Sequence, residues 1–395
     1  MIYDAIVVGA GPAGSTAARE LAARGGSVLL LERARFPRDK PCGGGVTPRA
    51  AKLLPFDLSP VVERSVDGVY FSLKLREGFA RRSPSVLTVL TQRRRLDAFL
   101  VQQAEQQGAI FHDGDAATGV ELRADGVTVV SRGGRQHGRV LIGADGANGV
   151  VARLTGLAGT RDLAVALEGN VPCDGAFPQR WQHLIGMDLG GIPGGYGWLF
   201  PKGDHLNVGV GGWQYLAGGL RHRLDELCAF YGLQRERLVD LRGYQLPVRR
   251  PGAPLARGRV ALAGDAAGLL DPLSGEGIYA AIYSGRLAAS EATALLEGRA
   301  ASLDGYAAAI ERELTPDLVA SRRFQDLFYL LPGVYVALLR RSDRIWALLA
   351  GLIRGEQSYV GFKRRLGPLG WAVDAGSLAV RTTPLRRRAG LPPRE

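Results

Sequence analysis

The stretch YDAIVVGAGPAG at residues 3–14 decides the fold of this chain. Its apolar run Asp4–Val8 predicts a buried strand, and Pro12–Arg24 predicts a helix that ends at Gly25-Gly26. Ser27–Leu31 then predicts a second strand, parallel to the first. Strand, helix and parallel strand in this order form the βαβ unit with which a doubly wound sheet begins.

Three glycines in this stretch have the spacing of a dinucleotide-binding turn. Gly9 permits the tight turn after the strand, Gly11 lets a pyrophosphate approach the backbone, and Gly14 allows helix and strand to pack closely. Glu32, at the end of the second strand, can accept hydrogen bonds from the hydroxyls of an adenosine ribose. The residues expected at the dinucleotide are Gly9, Gly11, Pro12, Ala13, Gly14, Glu32 and Arg33.

Two segments far downstream indicate FAD rather than NAD. GDAAG at 264–268 follows the predicted strand Arg259–Ala263, and DPLSGEGI at 271–278 leads into the predicted helix Gly277–Glu297. A helix amino terminus placed there could stabilise the negative charge that reduced flavin carries near N1 and O2. With GADG at 143–146, these segments resemble the flavoproteins related to p-hydroxybenzoate hydroxylase. That resemblance implies FAD contacts at Arg93, Asp145, Gly264, Asp265, Gly275, Gly277 and Ile278.

The middle of the chain has a different pattern, in which apolar and polar residues alternate and glycines interrupt the run. An antiparallel sheet is predicted from the alternation over Ala164–Val171, Trp181–Leu189, Tyr196–Pro201 and Leu206–Gly211. Leu220–Leu233 predicts an amphipathic helix. We expect this sheet to be the floor of a second domain.

The expected fold is therefore α/β, with a Rossmann-type FAD-binding domain interleaved with an antiparallel-sheet substrate domain and followed by C-terminal helices. The FAD-binding domain is expected to comprise residues 1–60, 91–160 and 250–302. The substrate-binding domain is expected to take residues 61–90 and 161–249, and a C-terminal helical region with a basic tail residues 303–395. Helical spacing fades after about Arg365, and the last twenty residues are expected to be irregular.

Two further segments carry residues suited to chemistry at a flavin ring. In PCGGG at 41–45, three glycines let the backbone lie flat against a ring, so that Cys42 lies at the edge of the reacting face. In YGWLFPKGDHLNVGVG at 196–211, strand periodicity places three aromatic side chains on one face: Tyr196, Trp198 and Phe200. Such a wall can exclude water from a long apolar chain and stabilise a transient carbocation.

PCGGG and the Tyr-x-Trp-x-Phe-Pro segment together resemble the geranylgeranyl reductase family, and the resemblance extends from Asp4 to about Leu295. It implies an FAD-dependent oxidoreductase that reduces carbon–carbon double bonds of a geranylgeranyl chain on a lipid, a chlorophyll precursor or a quinone. The electrons would come from NAD(P)H or from reduced ferredoxin, because the sequence has no second dinucleotide fingerprint for a resident nicotinamide.

The same resemblance implies roles for individual residues. Cofactor contacts are expected at Cys42, Gly43 and Gly44, and substrate contacts at Gly45, Phe200 and Pro201. Catalytic roles are expected for Cys42, Tyr196 and Trp198. A proton must be added to the double bond, and Cys42, Tyr196 or a bound water could donate it. From its place in the turn, Lys202 is expected to cap the hairpin on the surface, and His205 is expected as a turn residue, although it could also act as an acid. Cys173 and Cys228 are expected in packing. Three widely spaced cysteines predict neither a metal site nor an iron–sulfur cluster.

Net charge is +12, and residues 340–395 hold 12 Lys and Arg against 4 Asp and Glu. This basic end, next to apolar helices, could face an anionic membrane surface or an acidic redox partner, or it could be a solvated tail. Nucleic acid is not expected as a partner, since no reading motif is present. The apolar run Leu327–Leu339 is too short to span a bilayer. We therefore expect a cytoplasmic protein that can associate peripherally with the membrane.

Two other functions fit the same motifs. An FAD-dependent monooxygenase or halogenase would share the fold, although the paired-tryptophan motif of halogenases is absent. A prenyl-binding escort protein without redox activity would share the apolar pocket, but the intact flavin fingerprints argue against it.

Overall fold

The computed structural model of the protein describes residues 2–173 and 178–391. In chain order, its strands are β1 (Ile2–Val8), β2 (Val28–Leu31), β3 (Gly45–Val46), β4 (Arg64–Val66), β5 (Gly68–Leu73), β6 (Phe79–Arg82), β7 (Thr88–Leu90), β8 (Ile110–His112), β9 (Ala117–Leu122), β10 (Val127–Ser131), β11 (Gly134–Gly143), β12 (Arg161–Pro172), β13 (Leu184–Leu189), β14 (Gly197–Pro201), β15 (His205–Trp213), β16 (Val239–Arg249), β17 (Ala256–Arg257) and β18 (Val260–Leu262).

The helices follow the same order. They are α1 (Pro12–Ala22), α2 (Pro48–Ala51), α3 (Arg93–Glu105), α4 (Val151–Leu154), α5 (Leu220–Phe230), α6 (Ile278–Leu296), α7 (Asp304–Glu313), α8 (Thr315–Leu330), α9 (Pro332–Arg341), α10 (Asp343–Arg354), α11 (Tyr359–Arg365), α12 (Pro368–Thr382) and α13 (Leu385–Arg388).

The first sheet has the strand order β17-β18-β11-β1-β2-β8, and β9 and β10 form an antiparallel extension beside β11. β1 pairs in parallel with β2 on one side and with β11 on the other. Every residue of β2 is buried, as expected for a parallel strand covered on both faces. Helices α1 and α6 cross so closely that a side chain at Gly285 would overlap the carbonyl of Ala13. The predicted α/β fold class is confirmed.

The second sheet has the order β16-β12-β15-β14-β13-β5-β6. Successive side chains along each strand point to opposite faces of the sheet. On one face, Leu206, Val208 and Val210 of β15 pack in a core with helix α5. The intervening Asn207, Gly209 and Gly211 point the other way, as the sequence predicts. One pair departs from the antiparallel pattern, because β13 and β5 run parallel.

The opposite face of this sheet presents a row of directly paired residues. Glu168 of β12 lies opposite Gly209 of β15 and Arg242 of β16. Trp198 of β14 lies opposite the same glycine and, on its other side, opposite Met187 of β13. Paired positions on neighbouring strands point to the same side of a sheet. This row therefore forms a floor that faces the first sheet.

The C-terminal helices differ from expectation, because most of the described residues among the last twenty, 376–391, are helical, and 392–395 lie outside the described residues. Helix α12 continues to Thr382, and α13 follows it. Val373 and Val380 of α12 are buried in clusters that include Leu327 of α8. Tertiary packing of an apolar face stabilises a helix that local sequence signals only weakly, which explains the wrong prediction. None of the helices in the described ranges is long and apolar enough to cross a bilayer.

Candidate active site

A cavity of about 1380 Å³ lies between the first sheet, the floor of the second sheet and the C-terminal helices. It is larger than the roughly 300–1,000 Å³ that a single small ligand usually needs. Of the residues expected at the site from the sequence, all line this cavity except Gly14 and Pro201. The cavity has a glycine-rich end at α1, a central part beside Cys42 and an apolar end at the C-terminal helices.

The glycine-rich end is shaped by the turn between β1 and α1. Gly9 has φ +102°, and a side chain there would overlap the backbone of Ala144. A side chain at Gly14 would overlap the carbonyl of Gly9, so this glycine serves helix–strand packing and lies outside the cavity wall. At Gly11 a Cβ would meet nothing closer than 3.8 Å, which leaves the backbone open to a phosphate at the helix amino terminus.

Glu32 is buried at the end of β2 and lines the cavity. Its carboxylate accepts hydrogen bonds from the backbone N–H groups of Ala10 (2.9 Å) and Ala34 (3.0 Å). The carboxylate is thereby fixed beside the glycine turn, where an adenosine ribose would lie. Arg33, next in sequence, is exposed at the rim of the cavity.

Arg93 is buried and makes a bidentate pair with Asp97, with nitrogen–oxygen distances of 2.8 and 2.7 Å. Arg38 donates to the same carboxylate at 2.6 Å. Burial opposes ionisation of Asp97, but the two guanidinium groups outweigh it and lower the pKa of the carboxyl. Because Asp97 neutralises much of their charge, Arg93 can remain buried and Arg38 partly buried at the cavity wall.

Asp265, one of the expected FAD contacts, lies in the turn after β18. Its carboxylate accepts hydrogen bonds from Lys40 Nζ at 2.9 Å and from the hydroxyl of Tyr244 at 3.0 Å. Burial opposes ionisation here as well, yet the neighbouring ammonium lowers the pKa of Asp265. Lys40 also lies over the Tyr244 ring, 4.5 Å from its centroid. Sequence reasoning missed Lys40 and Tyr244, since neither belongs to a fingerprint.

One carboxylate oxygen of Asp145 is free to accept a hydrogen bond from a ligand. Its Oδ2 accepts hydrogen bonds from the backbone N–H groups of Val150 (2.6 Å) and Val151 (3.0 Å). This conformation requires Gly149, because a side chain there would overlap the carboxylate. Burial raises the pKa of Asp145. Its Oδ1 is buried without a hydrogen-bond partner among the described residues, at the wall of the cavity.

The DPLSGEGI segment is tied to the PCGGG side of the cavity. Thr47 donates to Glu276 at 2.6 Å, and Arg49 forms an ion pair with the same carboxylate. The hydroxyl of Tyr196 donates to the carbonyl of Ser274 at 2.5 Å. Burial raises the pKa of Tyr196 well above its usual range. The proton of Tyr196 is therefore held by a backbone carbonyl, which leaves Cys42 as the better placed of the two side chains expected as possible proton donors.

Cys42 lies in a loop that is held from the floor of the second sheet. Its backbone N–H donates to Oε1 of Glu168 at 2.8 Å, and its Sγ accepts the N–H of Gly44 at 3.3 Å. A Cβ on Gly43 would come within 2.6 Å of the Phe200 ring. The glycines of this loop are thus required by the protein's own packing as well as by a flat ligand. Glu168 was not singled out from the sequence, although alternation within β12 places it on the floor.

Lys202 does not lie on the surface as the sequence suggested, and is 2% exposed. Its ammonium donates to the carbonyl oxygens of Gly43 and Thr91, the latter at 2.9 Å. Burial lowers the pKa of Lys202 to about 8. The prediction was wrong because the turn after β14 folds beneath the PCGGG loop, a long-range contact that no local pattern records. His205 pairs with Asp204 at 2.7 Å and does not line the cavity.

The cavity is also lined by the three aromatic side chains that the sequence places on one face, those of Tyr196, Trp198 and Phe200. Tyr196 lies just before β14, and the other two lie within it. The indole N–H of Trp198 donates to Oδ1 of Asn207 at 2.9 Å, which fixes the ring. Gly197 points to the opposite face, where a side chain would touch Leu227 of α5. Pro201 is buried in the same strand but lies outside the cavity wall.

The apolar end of the cavity is closed by helices α8 to α12. Its wall includes Phe324, Phe328, Tyr335, Leu339, Leu349 and Phe362. Leu338 of α9 also lines the cavity, yet its side chain is 44% exposed to solvent. One residue thus belongs both to the cavity wall and to the surface, so the apolar end lies just beneath helix α9.

These features fit FAD. The glycine turn at a helix amino terminus suits a pyrophosphate, the fixed carboxylate of Glu32 suits a ribose, and the orphaned Oδ1 of Asp145 suits a polar ligand atom. A family model described as FAD binding domain matches residues 2–185. The protein is an FAD-dependent oxidoreductase.

Sequence relatives define the family more closely. The geranylgeranyl diphosphate reductase of Rhodobacter capsulatus is 32% identical, over 83% of this chain and 85% of its own length. Digeranylgeranylglycerophospholipid reductase 1 of Methanopyrus kandleri is 33% identical, over 75% of this chain and 82% of its own. The menaquinone reductase of Mycolicibacterium smegmatis is 32% identical, over 72% and 75%. The chain belongs to the geranylgeranyl reductase family, as its motifs predict.

Solved structures agree on the fold. A geranylgeranyl bacteriochlorophyll reductase-like protein from Thermoplasma acidophilum superposes with a TM-score of 0.73 at 24% identity, over 89% of this chain and 91% of that one. The flavin-dependent brominase Bmp2 superposes with a TM-score of 0.72 at 20% identity, over 90% and 94%. At these identities the likeness shows the fold alone, and it gives the halogenase alternative no further support.

Proposed function

We propose that the protein reduces carbon–carbon double bonds of a geranylgeranyl or similar isoprenoid chain. The observation that carries this proposal is the continuity of the cavity from the glycine turn of α1 to the apolar wall of α8 to α12. Its volume of about 1380 Å³ gives room for a flavin and for a long apolar chain beside it. Relatives named for reductases of geranylgeranyl compounds and of menaquinone support the same reaction.

Bound reduced FAD supplies a hydride for this reaction, and the residues of the chain provide the rest. Cys42 lies in the cavity wall and can give a proton to one carbon of the double bond. Tyr196, Trp198 and Phe200 exclude water and offer aromatic faces to positive charge that develops on the tertiary carbon. Trp198 is held by Asn207, and Tyr196 by Ser274, so neither ring needs to be ordered when the substrate binds.

Three candidate substrates test which group carries the isoprenoid chain that the protein reduces. Protein reduced with dithionite is incubated without oxygen with geranylgeranyl diphosphate, a digeranylgeranyl glycerophospholipid or a menaquinone. After the products are reoxidised in air, which returns menaquinol to the quinone, we expect a mass gain of two hydrogens per reduced double bond with at least one of them, and none with the oxidised protein. Reduced flavin that persists beside three unchanged compounds would refute the proposal. Oxygen-dependent NAD(P)H consumption with phenolic compounds would instead favour the monooxygenase alternative.

The electron donor is proposed to be NAD(P)H or reduced ferredoxin, bound only transiently. Residues 340–395 hold 12 basic and 4 acidic residues, a charge that favours binding of an acidic electron-carrier protein. Stopped-flow reduction of the bound flavin distinguishes the donors. If the basic end is the docking surface, we expect the rate of flavin reduction by ferredoxin to fall steeply as the salt concentration is raised.

We also propose that helix α9 rests on an anionic membrane, from which the substrate enters. Leu331, Val334 and Leu338 are 53%, 52% and 44% exposed, and Leu338 reaches the cavity from the surface. Arg340 and Arg341 are exposed at the end of the same helix. Exposed apolar side chains beside basic ones suit the interface of an anionic bilayer.

Liposome flotation tests this surface. We expect binding to vesicles that contain phosphatidylglycerol and weaker binding to neutral vesicles. Val334→Glu should reduce flotation several-fold, whereas Val239→Glu on β16, where the side chain is 45% exposed, is the matched control. Equal flotation of both variants would exclude α9 as the docking surface.

A further inference from the structure

Lys202 is a buried cation whose charge has no use in the reaction described so far. Its hydrogen-bond partners within residues 2–173 and 178–391 are the carbonyl oxygens of Gly43 and Thr91, not a carboxylate. Burying an ammonium that no anion contacts costs free energy, which carbonyl groups offset only in part. A negative charge that forms nearby would therefore gain more stabilisation here than in water.

Cys42 lies in the turn that this ammonium contacts through the carbonyl of Gly43. Lys202 holds the carbonyl of Gly43, the residue that follows Cys42, and the N–H of Gly44 points back to Cys42 Sγ at 3.3 Å. The turn is so tight that a Cβ on Gly44 would come within 2.6 Å of Lys202 Nζ. Burial lowers the pKa of Lys202 to about 8, although a negative charge on Cys42 and the carboxylates of Glu63 and Glu168 act to raise it. At neutral pH the ammonium is still charged.

The other ionisable groups that face Cys42 act in both directions. Arg93 adds a second positive charge that interacts with Cys42, although Asp97 pairs with it. Glu168 accepts the N–H of Cys42, and burial raises the pKa of this carboxyl. As a carboxylate it would repel a thiolate, a repulsion that the two cations oppose. Tyr196 keeps its proton on the carbonyl of Ser274 and adds no charge.

We propose that Lys202 is the counter-ion of Cys42 and stabilises the thiolate that remains when the thiol gives up its proton. The inference rests on the proposed function for the acceptor of that proton. The S–H bond breaks, and the π electrons of the double bond form a C–H bond to the released proton on one alkene carbon. The other carbon would take the hydride that bound reduced FAD supplies, which forms the second C–H bond. The sulfur keeps the electron pair and regains a proton from water. Lys202 does not line the cavity, so it is a positioning residue for Cys42 and not a catalytic one.

The test uses the FAD-bound protein and a reaction that needs no isoprenoid. Iodoacetamide alkylates thiolates, so the rate at Cys42 reports how readily this thiolate forms. We would measure the rate from about pH 6 to pH 9 by mass spectrometry of the Cys42 peptide. Lys202→Gln removes the charge but keeps two N–H donors for the carbonyls of Gly43 and Thr91. Lys202→Arg keeps the charge.

We expect Lys202→Gln to slow the alkylation of Cys42 at neutral pH by roughly fivefold or more, and Lys202→Arg to restore it to within about twofold. In turnover, Lys202→Gln should lower kcat and leave KM nearly unchanged. An alkylation rate of Lys202→Gln equal to that of the wild type across this pH range would overturn the proposal.

A measurement without variants covers the case in which Lys202→Gln binds no FAD. The midpoint pH of Cys42 alkylation in the native wild type is compared with that in urea. A lower midpoint in the native protein supports the counter-ion, and an equal or higher one refutes it. If the wild type reduces no geranylgeranyl compound, the proposed function fails, whereas the alkylation comparison still decides the role of Lys202.

Discussion

The indole ring of Trp198 occupies the space that a side chain at Gly209 would take. The two residues lie directly opposite each other on β14 and β15, and both point towards the cavity. Because backbone pairing fixes their separation, the ring can lie flat on the sheet only if the opposite position has no side chain. Gly209 therefore determines where the wall of the proposed isoprenoid site stands.

Gly209→Ala is expected to push the Trp198 ring into the cavity and break its hydrogen bond to Asn207. We expect the rate of double-bond reduction to fall by about tenfold or more, while bound FAD is retained, since the glycine turn lies elsewhere. Gly218→Ala is the control, because no atom lies within 4 Å of a Cβ there. Activity of Gly209→Ala equal to that of the control would mean that Trp198 does not shape the site.

Cys42→Ser tests the proposed proton donor. A hydroxyl is a far weaker acid than a thiol, so we expect the reduction rate to fall by about a hundredfold or more while the flavin spectrum is unchanged. Cys173→Ser, outside the cavity wall, should retain wild-type turnover. Single-turnover mass analysis of the reduced protein with a geranylgeranyl compound gives both rates. Unchanged turnover of Cys42→Ser would remove the thiol from the mechanism.

The flavin end of the site could be predicted from the sequence because a short motif records much of its geometry. A side chain at Gly14 would overlap the carbonyl of Gly9, five residues earlier, so the spacing of these glycines records a local contact. The overlap that Gly9 avoids is with the backbone of Ala144, after β11, which the spacing does not record. The aromatic wall was predictable for a similar reason, since a period of two places Tyr196, Trp198 and Phe200 on one face.

The groups that support Cys42 could not be predicted in this way. Glu168 and Lys202 approach Cys42 from positions 126 and 160 residues further along the chain, and only the packing of the second sheet against the loop brings them together. A lysine in a Pro-Lys-Gly turn is usually solvated, so local reasoning assigns it to the surface. Helices α8 to α12 were similarly ambiguous, because an apolar helix face predicts burial without naming what it covers.

Gly44→Ala probes the fit of the PCGGG loop. Gly44 has φ +66°, and a side chain there would overlap the carbonyl of Thr91 and crowd Lys202. Gly108, with φ +100° and open space around it, has the backbone conformation without the contacts. We expect thermal unfolding to show a loss of about 1 kcal/mol for Gly108→Ala and roughly 2–4 kcal/mol for Gly44→Ala. Equal losses of stability would show that the PCGGG loop can shift to accept the side chain, and that Lys202 does not fix its conformation.

The buried ammonium of Lys202 should also make stability depend on pH. Burial lowers its pKa to about 8, whereas a lysine in the unfolded chain titrates near ~10.4. Between these values the unfolded chain holds a proton that the native protein has lost, so the free energy of unfolding contributed by Lys202 rises with pH. Below about pH 8 both states are protonated, and this contribution no longer changes.

The effect is isolated in a Cys42→Ser background, because the thiol whose ionisation depends on Lys202 is then absent from both proteins. There we expect the melting temperature with Lys202 minus that with Lys202→Gln to be constant from about pH 6 to pH 7.5 and to increase in favour of the lysine towards about pH 10. Lys202→Met provides a second neutral reference. A difference that stays flat or shrinks as pH rises would mean that Lys202 keeps its proton in the native protein. An anion nearby would then stabilise the ammonium more than the two carbonyl groups do.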